Sequence, residues 1–478
     1  MAKKNELPAL IASLVVTLAL LGGGAWWLKG SLLSDSNNSN GSNTATLQNN
    51  GGGSNRPSSS GDIAGADGSR GRSVLAEAEI TGAKQDGMDA LADGNYDEAV
   101  TAFEASLQEK KNDPEARIYL NNATIGNDRA YTVAMIVPAG SSESAAEELM
   151  RGAAQAQTDI NEAGGVGGRS LKILLINDDD DSDTAVEIAN ELVDDPDVLG
   201  VVGHYSSGTS LAASEVYEAG GLPMISPTST AVGLSTAGDY IFRTVPSDRL
   251  AAATLSRYTL NDLNKTQAVV FYTSESAYSQ SVKSEFTTEL LSNGGQVVVD
   301  FDVSQPGFNA EEALAEAAEN GADVLMLALN TATIDIANDV IAANGQMLPM
   351  LGGDSLYNPK ILDVSRGEAL GLTVAVPWHI LSHVGTPFVT ESRDLWGGDV
   401  NWRTATAYDA VLTLATGIDT EQSRDGVAEA LAATGLTIDG ATDPIKFLPT
   451  GDRNQPSQLV EVVPGTRSGT GFDYEPVR

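Results

Sequence analysis

The sequence predicts an α/β protein whose main part is two lobes, each a parallel sheet flanked by helices. A short α-helical repeat and an N-terminal transmembrane helix precede them. Three observations carry this reading. From Tyr131 onward, short apolar runs alternate with stretches of helical periodicity, strand then helix. The alternation breaks at residues 243–248 and then restarts, which divides it into two runs. Residues 7–28 carry no charge, and a bilayer needs roughly 20 such residues.

Composition narrows the class of partner. The 478 residues hold 65 Asp and Glu against 28 Lys and Arg, a formal net charge of −37. Such a surface repels phosphate backbones and anionic lipid, so nucleic acid is not an expected partner. A hydrophobic content of 41% suffices for a large core, and the length leaves room for more than one domain. The absence of cysteine removes disulfides, thiolate catalysis, Cys-based zinc sites and a lipid-modified N-terminal cysteine.

Residues 1–29 read as a signal anchor. Lys3 and Lys4 precede the apolar run, Lys29 follows it, and Trp26 and Trp27 suit the membrane interface. A cleaved signal peptide is the competing reading, because the purely apolar part ends at Leu21 and small residues follow at 22–25. The tryptophans favour an uncleaved, single-pass anchor in the cell membrane. Either way the bulk of the chain is expected in the periplasm or outside the cell. Residues 30–73, rich in Ser, Asn and Gly, cannot bury enough apolar surface to fold and read as a disordered tether.

Residues 74–127 change character. Met88, Leu91, Ala99, Phe103 and Leu107 recur at helical spacing. The run G-N-Y-D-E-A-V-T-A-F-E-A-S, with Gly94 at the turn and Tyr96, Ala99 and Phe103 at packing positions, looks like one tetratricopeptide-type hairpin. One such unit does not bury its own core, so it should pack on the main domain, a second copy or a partner. A spacer and a protein-docking role both remain open.

The main domain, residues 128–478, is expected to run through strands at 133–137, 171–176, 198–202 and 223–225, with helices at 144–163, 184–193 and 211–219 between them. The second run has strands at 268–272, 297–301, 324–329 and 350–351, and helices at 250–260, 279–291, 311–319 and 334–343. In such sheets ligands sit at the carboxyl ends of the strands, and a cleft between two lobes is the expected site. Two strands here end in clusters of small hydroxyl residues. One reads G-H-Y-S-S-G-T-S from Gly203, the other P-M-I-S-P-T-S-T from Pro223. A helix starting after Ser206 and Ser207 would aim free N–H groups over the strand end and, with the hydroxyls, make a seat for a small carboxylate. No lysine or arginine stands in either cluster, so hydrogen bonds rather than a full charge would hold the anion. The plainer alternative is that Ser207 and Thr209 cap the helix.

Other motifs fail on context. G-G-V-G-G-R at 164–169 follows a helix and precedes a strand, the reverse of a dinucleotide fingerprint, and reads as a turn. The four aspartates at 178–181 lack the central Gly and terminal Glu of a calcium loop and read as a solvated loop. His379 and His383 lack the Glu of a zinc-protease helix. Ser206 and Ser207 have only His204 nearby and no nucleophile-elbow pattern, and no phosphate-binding loop exists. No catalytic residue, metal ligand or cofactor is therefore expected.

The two hydroxyl clusters, together with F-R-T-V-P-S-D at 242–248, R-G-A-A-Q-A-Q-T-D-I-N-E-A-G-G-V at 151–166 and A-Y-D-A-V at 407–411, resemble the leucine/isoleucine/valine-binding protein family, the type I periplasmic binding proteins that serve ABC transporters. The likeness runs from about Tyr131 to about Val463. It implies two α/β lobes joined by a hinge of three crossovers, and a small-molecule ligand, an amino acid, delivered to ABC permease subunits. It also implies a set of ligand-binding residues: Ser207 and Thr230 for the ligand carboxylate, with Ser206 and Ser229 beside them, the Thr228 carbonyl and Asp354 for the ammonium, and Tyr278 from the second lobe. The sequence departs from the family where side chains are recognised. Ala145 stands where an aromatic often lies over the ligand, and Asn330 or Thr331 replaces a second-lobe Tyr. An amino acid or similar small polar ligand is thus expected rather than a branched-chain one specifically. A sensor or interaction protein on the same fold, such as an activator of a cell-wall synthase, is the alternative.

Overall fold

The computed structural model describes residues 80–477, and all of them belong to one compact unit. The expected anchor and tether lie outside the described residues. Among those described, no helix is long and apolar enough to cross a membrane.

The chain opens with three helices, α1 (Gly82–Ala92), α2 (Tyr96–Glu109) and α3 (Pro114–Ile125). Gly94, at a φ of 75°, makes the α1–α2 turn. Phe103, fully buried, lies against Gly87 of α1, where any side chain would collide with its ring. Asp113 caps α3 and, with Glu115, pairs with the buried Lys84 at 3.0 and 2.8 Å. The three-helix segment rests on the binding domain, through α3: Asn121 Nδ2 donates to Thr158 Oγ1 at 2.9 Å, and Asn122 Nδ2 to the Ile173 carbonyl at 2.8 Å.

The first lobe follows as β1 (Ala130–Val137), α4 (Glu143–Glu162), β2 (Ser170–Asn177), α5 (Ser182–Asp194), β3 (Val198–Val202), α6 (Ser207–Gly220), β4 (Met224–Ser226) and β5 (Ile241–Arg243). Its five parallel strands lie in the order β2-β1-β3-β4-β5. Both faces are covered, as the continuous apolar strands require. Val133 and Met135 of β1 point to one core and Ala134 and Ile136 to the other, where Ile188, Ala213 and Tyr217 meet them.

The second lobe holds α7 (Asp248–Arg257), β6 (Gln267–Tyr272), α8 (Ala277–Ser292), β7 (Gln296–Asp302), α9 (Ala310–Glu319), β8 (Val324–Ala328), α10 (Ile334–Asn344), β9 (Met350–Gly352) and β10 (Thr373–Val376). The chain then passes through α11 (Pro387–Trp396) back to the first lobe for α12 (Trp402–Thr420) and α13 (Arg424–Ala432), and returns for β11 (Gln458–Pro464) and β12 (Phe472–Pro476). The seven strands order as β12-β11-β10-β9-β8-β6-β7, with β11 and β12 antiparallel to their neighbours. Helix α12 packs tightly on α4. A Cβ at Gly152 would stand 2.2 Å from the Thr404 carbonyl, so only glycine permits this approach.

The chain crosses between lobes three times, after β5, after β10 and after α13. The first and third crossings are tied together by a buried pair: Arg243 Nε donates to Asp452 Oδ1 at 2.7 Å, and Arg243 Nη1 to the Ala231 carbonyl at 2.8 Å. Thr244 Oγ1 donates to the Thr406 carbonyl at 2.8 Å, which adds the second crossing's helix.

Candidate functional site

Three helix N-termini converge where the lobes face each other. Ser206 caps α6, its Oγ accepting from Thr209 N at 3.3 Å. Ser276 caps α8 and Asn401 caps α12, accepting from Arg403 N at 2.8 Å. Together with the segments that leave β8 and β9, they enclose a cavity of about 70 Å³ at the carboxyl ends of the strands. The lobes touch across it: the Tyr205 hydroxyl and Thr331 Oγ1 are 2.9 Å apart. Ser281 Oγ also accepts from Val232 N at 3.1 Å. Larger hollows of about 740 and 580 Å³ lie elsewhere, one on the second lobe beside α9 and α10, the other between the helical segment and the first lobe.

Of the residues singled out from the sequence, Ser206, Ser207, Thr228, Tyr278 and Asp354 line this cavity. Ser207 Oγ accepts from Ala231 N at 3.2 Å, linking the two hydroxyl clusters. Thr228 Oγ1 donates to the Tyr205 carbonyl at 2.6 Å. Ser229 and Thr230 do not line it. Ser229 Oγ bonds Ser210 Oγ at 2.7 Å behind the strand ends. Thr230 accepts at its carbonyl from Asp248 N at 2.8 Å, and its hydroxyl is buried without a partner. The plain capping alternative holds in part, with Ser206 rather than Ser207 as the cap.

Asp354 opens a 3₁₀ turn after β9. Burial pushes its carboxyl up to about 6, while the Arg403 charge and the Tyr278 hydroxyl pull the other way. Asp248, fully buried behind it, is pushed up to about 7, again by burial, with the Asp354 charge adding to the rise. The Tyr278 hydroxyl accepts from Ser355 N at 3.4 Å and presses on Gly353, where a Cβ would be 2.2 Å away.

Three features were not legible from the two clusters. Arg403, more than 170 residues beyond the clusters in sequence, enters from the first turn of α12, its Cζ 4.3 Å from the centre of the Trp402 ring. The clusters themselves lack a cation, but the cavity does not. The aspartate run at 178–181 is also not merely solvated. Asp178 is fully buried and 2.7 Å from His204 Nδ1, and Asp181 caps α5. Asp179 and Asp180 take positive φ, which turns the Asp180 carboxylate onto the N-terminus of α6. There its Oδ1 accepts from Ser206 N at 3.3 Å and Thr209 Oγ1 at 3.1 Å. Finally, Tyr205 supplies the aromatic contact across the cleft, whereas Ala145 is buried within α4 and does not reach the cavity.

The arrangement offers no nucleophile and base. His204 is fully buried with Nδ1 on Asp178 and Nε2 on the Tyr217 hydroxyl at 3.1 Å, so neither nitrogen reaches a serine of the cavity. Among the described residues, no cluster of His, Asp and Glu could hold a metal ion. What the cavity can do is bind: a carboxylate, a guanidinium, hydroxyls and aromatic edges surround a space sized for a small polar molecule.

Residues 130–469 match the family model described as periplasmic binding protein. The Leu/Ile/Val-binding protein homolog 3 of Brucella melitensis is 26% identical over 344 residues, covering 70% of this chain and 93% of that protein. The Leu/Ile/Val-binding protein of Escherichia coli K12 is 27% identical over 325 residues, covering 64% and 83%. Among solved structures, a putative branched-chain amino acid ABC transporter protein from Rhodospirillum rubrum superposes with a TM-score of 0.57 at 25% identity, over 73% of this chain and all of that one. A substrate-binding protein from Desulfitobacterium hafniense in complex with Leu gives 0.62 at 23% identity with the same coverage, which shows the fold.

Proposed function

The chain belongs to the periplasmic binding protein family, and from that premise we propose that it is an extracytoplasmic, membrane-tethered substrate-binding protein that captures an amino acid or similar small polar ligand for an ABC importer. The observation that carries this is the interlobe cavity that Asp354, Ser207, Thr228 and Tyr278 line together, an acid and the Thr228 carbonyl for an ammonium beside the Ser207 hydroxyl for a carboxylate. Relatives named for leucine, isoleucine and valine support the ligand class. Ser206, Ser207, Thr228, Tyr278 and Asp354 are the proposed contacts, with Ser229 and Thr230 shaping the wall behind them. The chain binds rather than catalyses. Residues 1–29 serve as the anchor, 30–73 as the tether, 74–127 as a tetratricopeptide-like segment and 128–478 as the binding domain. Ligand bound between the lobes stabilises the closed form, which is what permease subunits engage.

A second reading is a sensor or regulatory receptor. The exposed groove of α1 and α2, with Asp86, Asp89, Asp93 and Glu98 around small residues, is the feature that favours it. A thermal-shift screen of the full chain, stripped of copurified ligand, against the standard amino acids, short amides and urea separates the two. A rise in melting temperature with amino acids supports capture by mass action. No rise with any compound removes the transport reading.

A further inference from the structure

Two neighbouring residues at the start of α12 carry hydrogen-bond donors that the fold itself does not use. Trp402 and Arg403 both line the cleft cavity, and Arg403 is 6% exposed. Trp402 Nε1 and Arg403 Nε are buried without a partner, and the Arg403 guanidinium makes no ion pair or hydrogen bond among the described residues. Both groups only donate, so what completes them is an acceptor. An unpaired buried guanidinium is costly, and a fold retains one where something else completes it. Second, the cavity already holds a seat for one carboxylate apart from this cation. At the start of α6, Ser207 N and Gly208 N have no partner among the described residues, while Asp180 takes Ser206 N and Thr209 Oγ1 beside them. Arg403 is then a second anion receptor. Nor does Asp354 neutralise it. Against the burial that raises the Asp354 carboxyl, the Arg403 charge is the leading opposing effect, yet the two make no ion pair. Third, the wall is poor in aliphatic carbon. Ser276, Asn330, Thr331 and Ser355 line the cavity, and none of its lining residues is Val, Leu, Ile or Met.

We propose that Arg403 reads the ligand's side chain, so that the cleft selects an acidic α-amino acid, aspartate or glutamate, whose side-chain carboxylate pairs with the guanidinium. This deepens the amino-acid reading and rests on it. The three charges of such a ligand have three receptors. The α-carboxylate lies at the start of α6, the ammonium on Asp354 and the Thr228 carbonyl, and the side-chain carboxylate on Arg403. A leucine would leave the guanidinium unpaired and set its carbon chain against hydroxyls and an amide. Asparagine or glutamine would offer a carbonyl acceptor but no countercharge. The guanidinium fork suits a carboxylate's two oxygens. The attraction of the Trp402 ring, its centre 4.3 Å from Cζ, holds the guanidinium against this wall.

The test uses the full chain. The twenty standard L-amino acids are first screened by thermal shift at pH 8, where Asp354 is ionised. If none shifts the wild type, the amino-acid reading itself fails. A shift with other amino acids but with neither acid overturns the proposal and leaves that reading standing. The stronger of aspartate and glutamate, its side-chain amide and leucine are then titrated calorimetrically into wild type, Arg403→Met, Arg403→Lys and Arg366→Met. Acid and amide share their α-groups and nearly their shape, so the comparison isolates the side-chain charge. Wild type is expected to prefer the acid over the amide by at least about tenfold, the scale of a charged hydrogen-bonded pair, with leucine weaker still. Arg403→Met should abolish the preference and Arg403→Lys should keep part of it. Arg366 is exposed and outside the cavity, so its variant should keep the preference whole. An amide or leucine that binds wild type as tightly as the acid overturns the proposal without any variant having to fold. A preference retained in Arg403→Met, or lost in Arg366→Met, does the same.

Discussion

Replacing Asp354 by Asn should make the unliganded protein more stable while destroying its ability to bind an amino acid. Burial raises the Asp354 carboxyl from 3.8 to about 6. A carboxyl whose pKa is raised on folding holds its proton more tightly in the fold, so its contribution is fully present below about pH 4 and is lost as pH rises through about 6. The interval corresponds to about 3 kcal/mol against the ionised form at high pH. Asparagine keeps the shape of the neutral acid and does not ionise. Urea unfolding at pH 8 should therefore show the variant more stable by about 3 kcal/mol, and at pH 4 by less than about 1 kcal/mol. Ligand binding carries the opposite sign, because the ammonium needs the carboxylate. Wild-type affinity should fall as pH drops through about 6, reaching about a tenfold loss at pH 5. The Asn variant should show no amino-acid-induced thermal shift at any pH. A variant less stable than wild type at pH 8 would refute the reasoning, since it would mean that Arg403 holds Asp354 as a structural anion.

Three further outcomes follow from particular contacts. Gly353→Ala places a Cβ 2.2 Å from the Tyr278 hydroxyl, so it should cost about 1–3 kcal/mol in urea unfolding and weaken amino-acid binding in calorimetry. Tyr205→Phe removes the 2.9 Å bond to Thr331 across the lobes, worth about 1 kcal/mol, and should enlarge the unliganded radius of gyration in X-ray scattering with a fewfold loss of affinity. Arg243→Met strips the partner from Asp452 at the crossings and should destabilise by about 3–5 kcal/mol, whereas the double variant with Asp452→Asn should recover part of that loss in the same unfolding assay.

Much of the architecture was legible because burial writes itself into sequence. Val133–Met135 and Val269–Phe271 are apolar throughout since both faces of each sheet are covered, and the helices between them keep a polar side. The break at residues 243–248 marks the first crossing because β5 ends at Arg243 and α7 begins at Asp248. The hydroxyl clusters were visible because strand ends that open onto a cleft cannot be apolar. The shift of strand β4 to Met224–Ser226 moved Ser226 into the sheet and carried Ser229 and Thr230 behind it, a displacement that composition does not reveal.

The sequence by itself determined the order of elements, the two-lobed division and the hydroxyl clusters at the strand ends, all of which depend on local periodicity and strand-end chemistry; Asp354 was singled out through the family resemblance. Only the tertiary structure decided that Arg403 lines the same cavity as Asp354, that the Asp180 carboxylate accepts from Ser206 N and Thr209 Oγ1 at the start of α6, and that Asp178 and His204 form a buried pair. The physical reason is the same in each case. These groups are brought together by crossings and loop turns rather than by neighbouring positions. Their energies depend on distance and burial, which no spacing along the chain encodes.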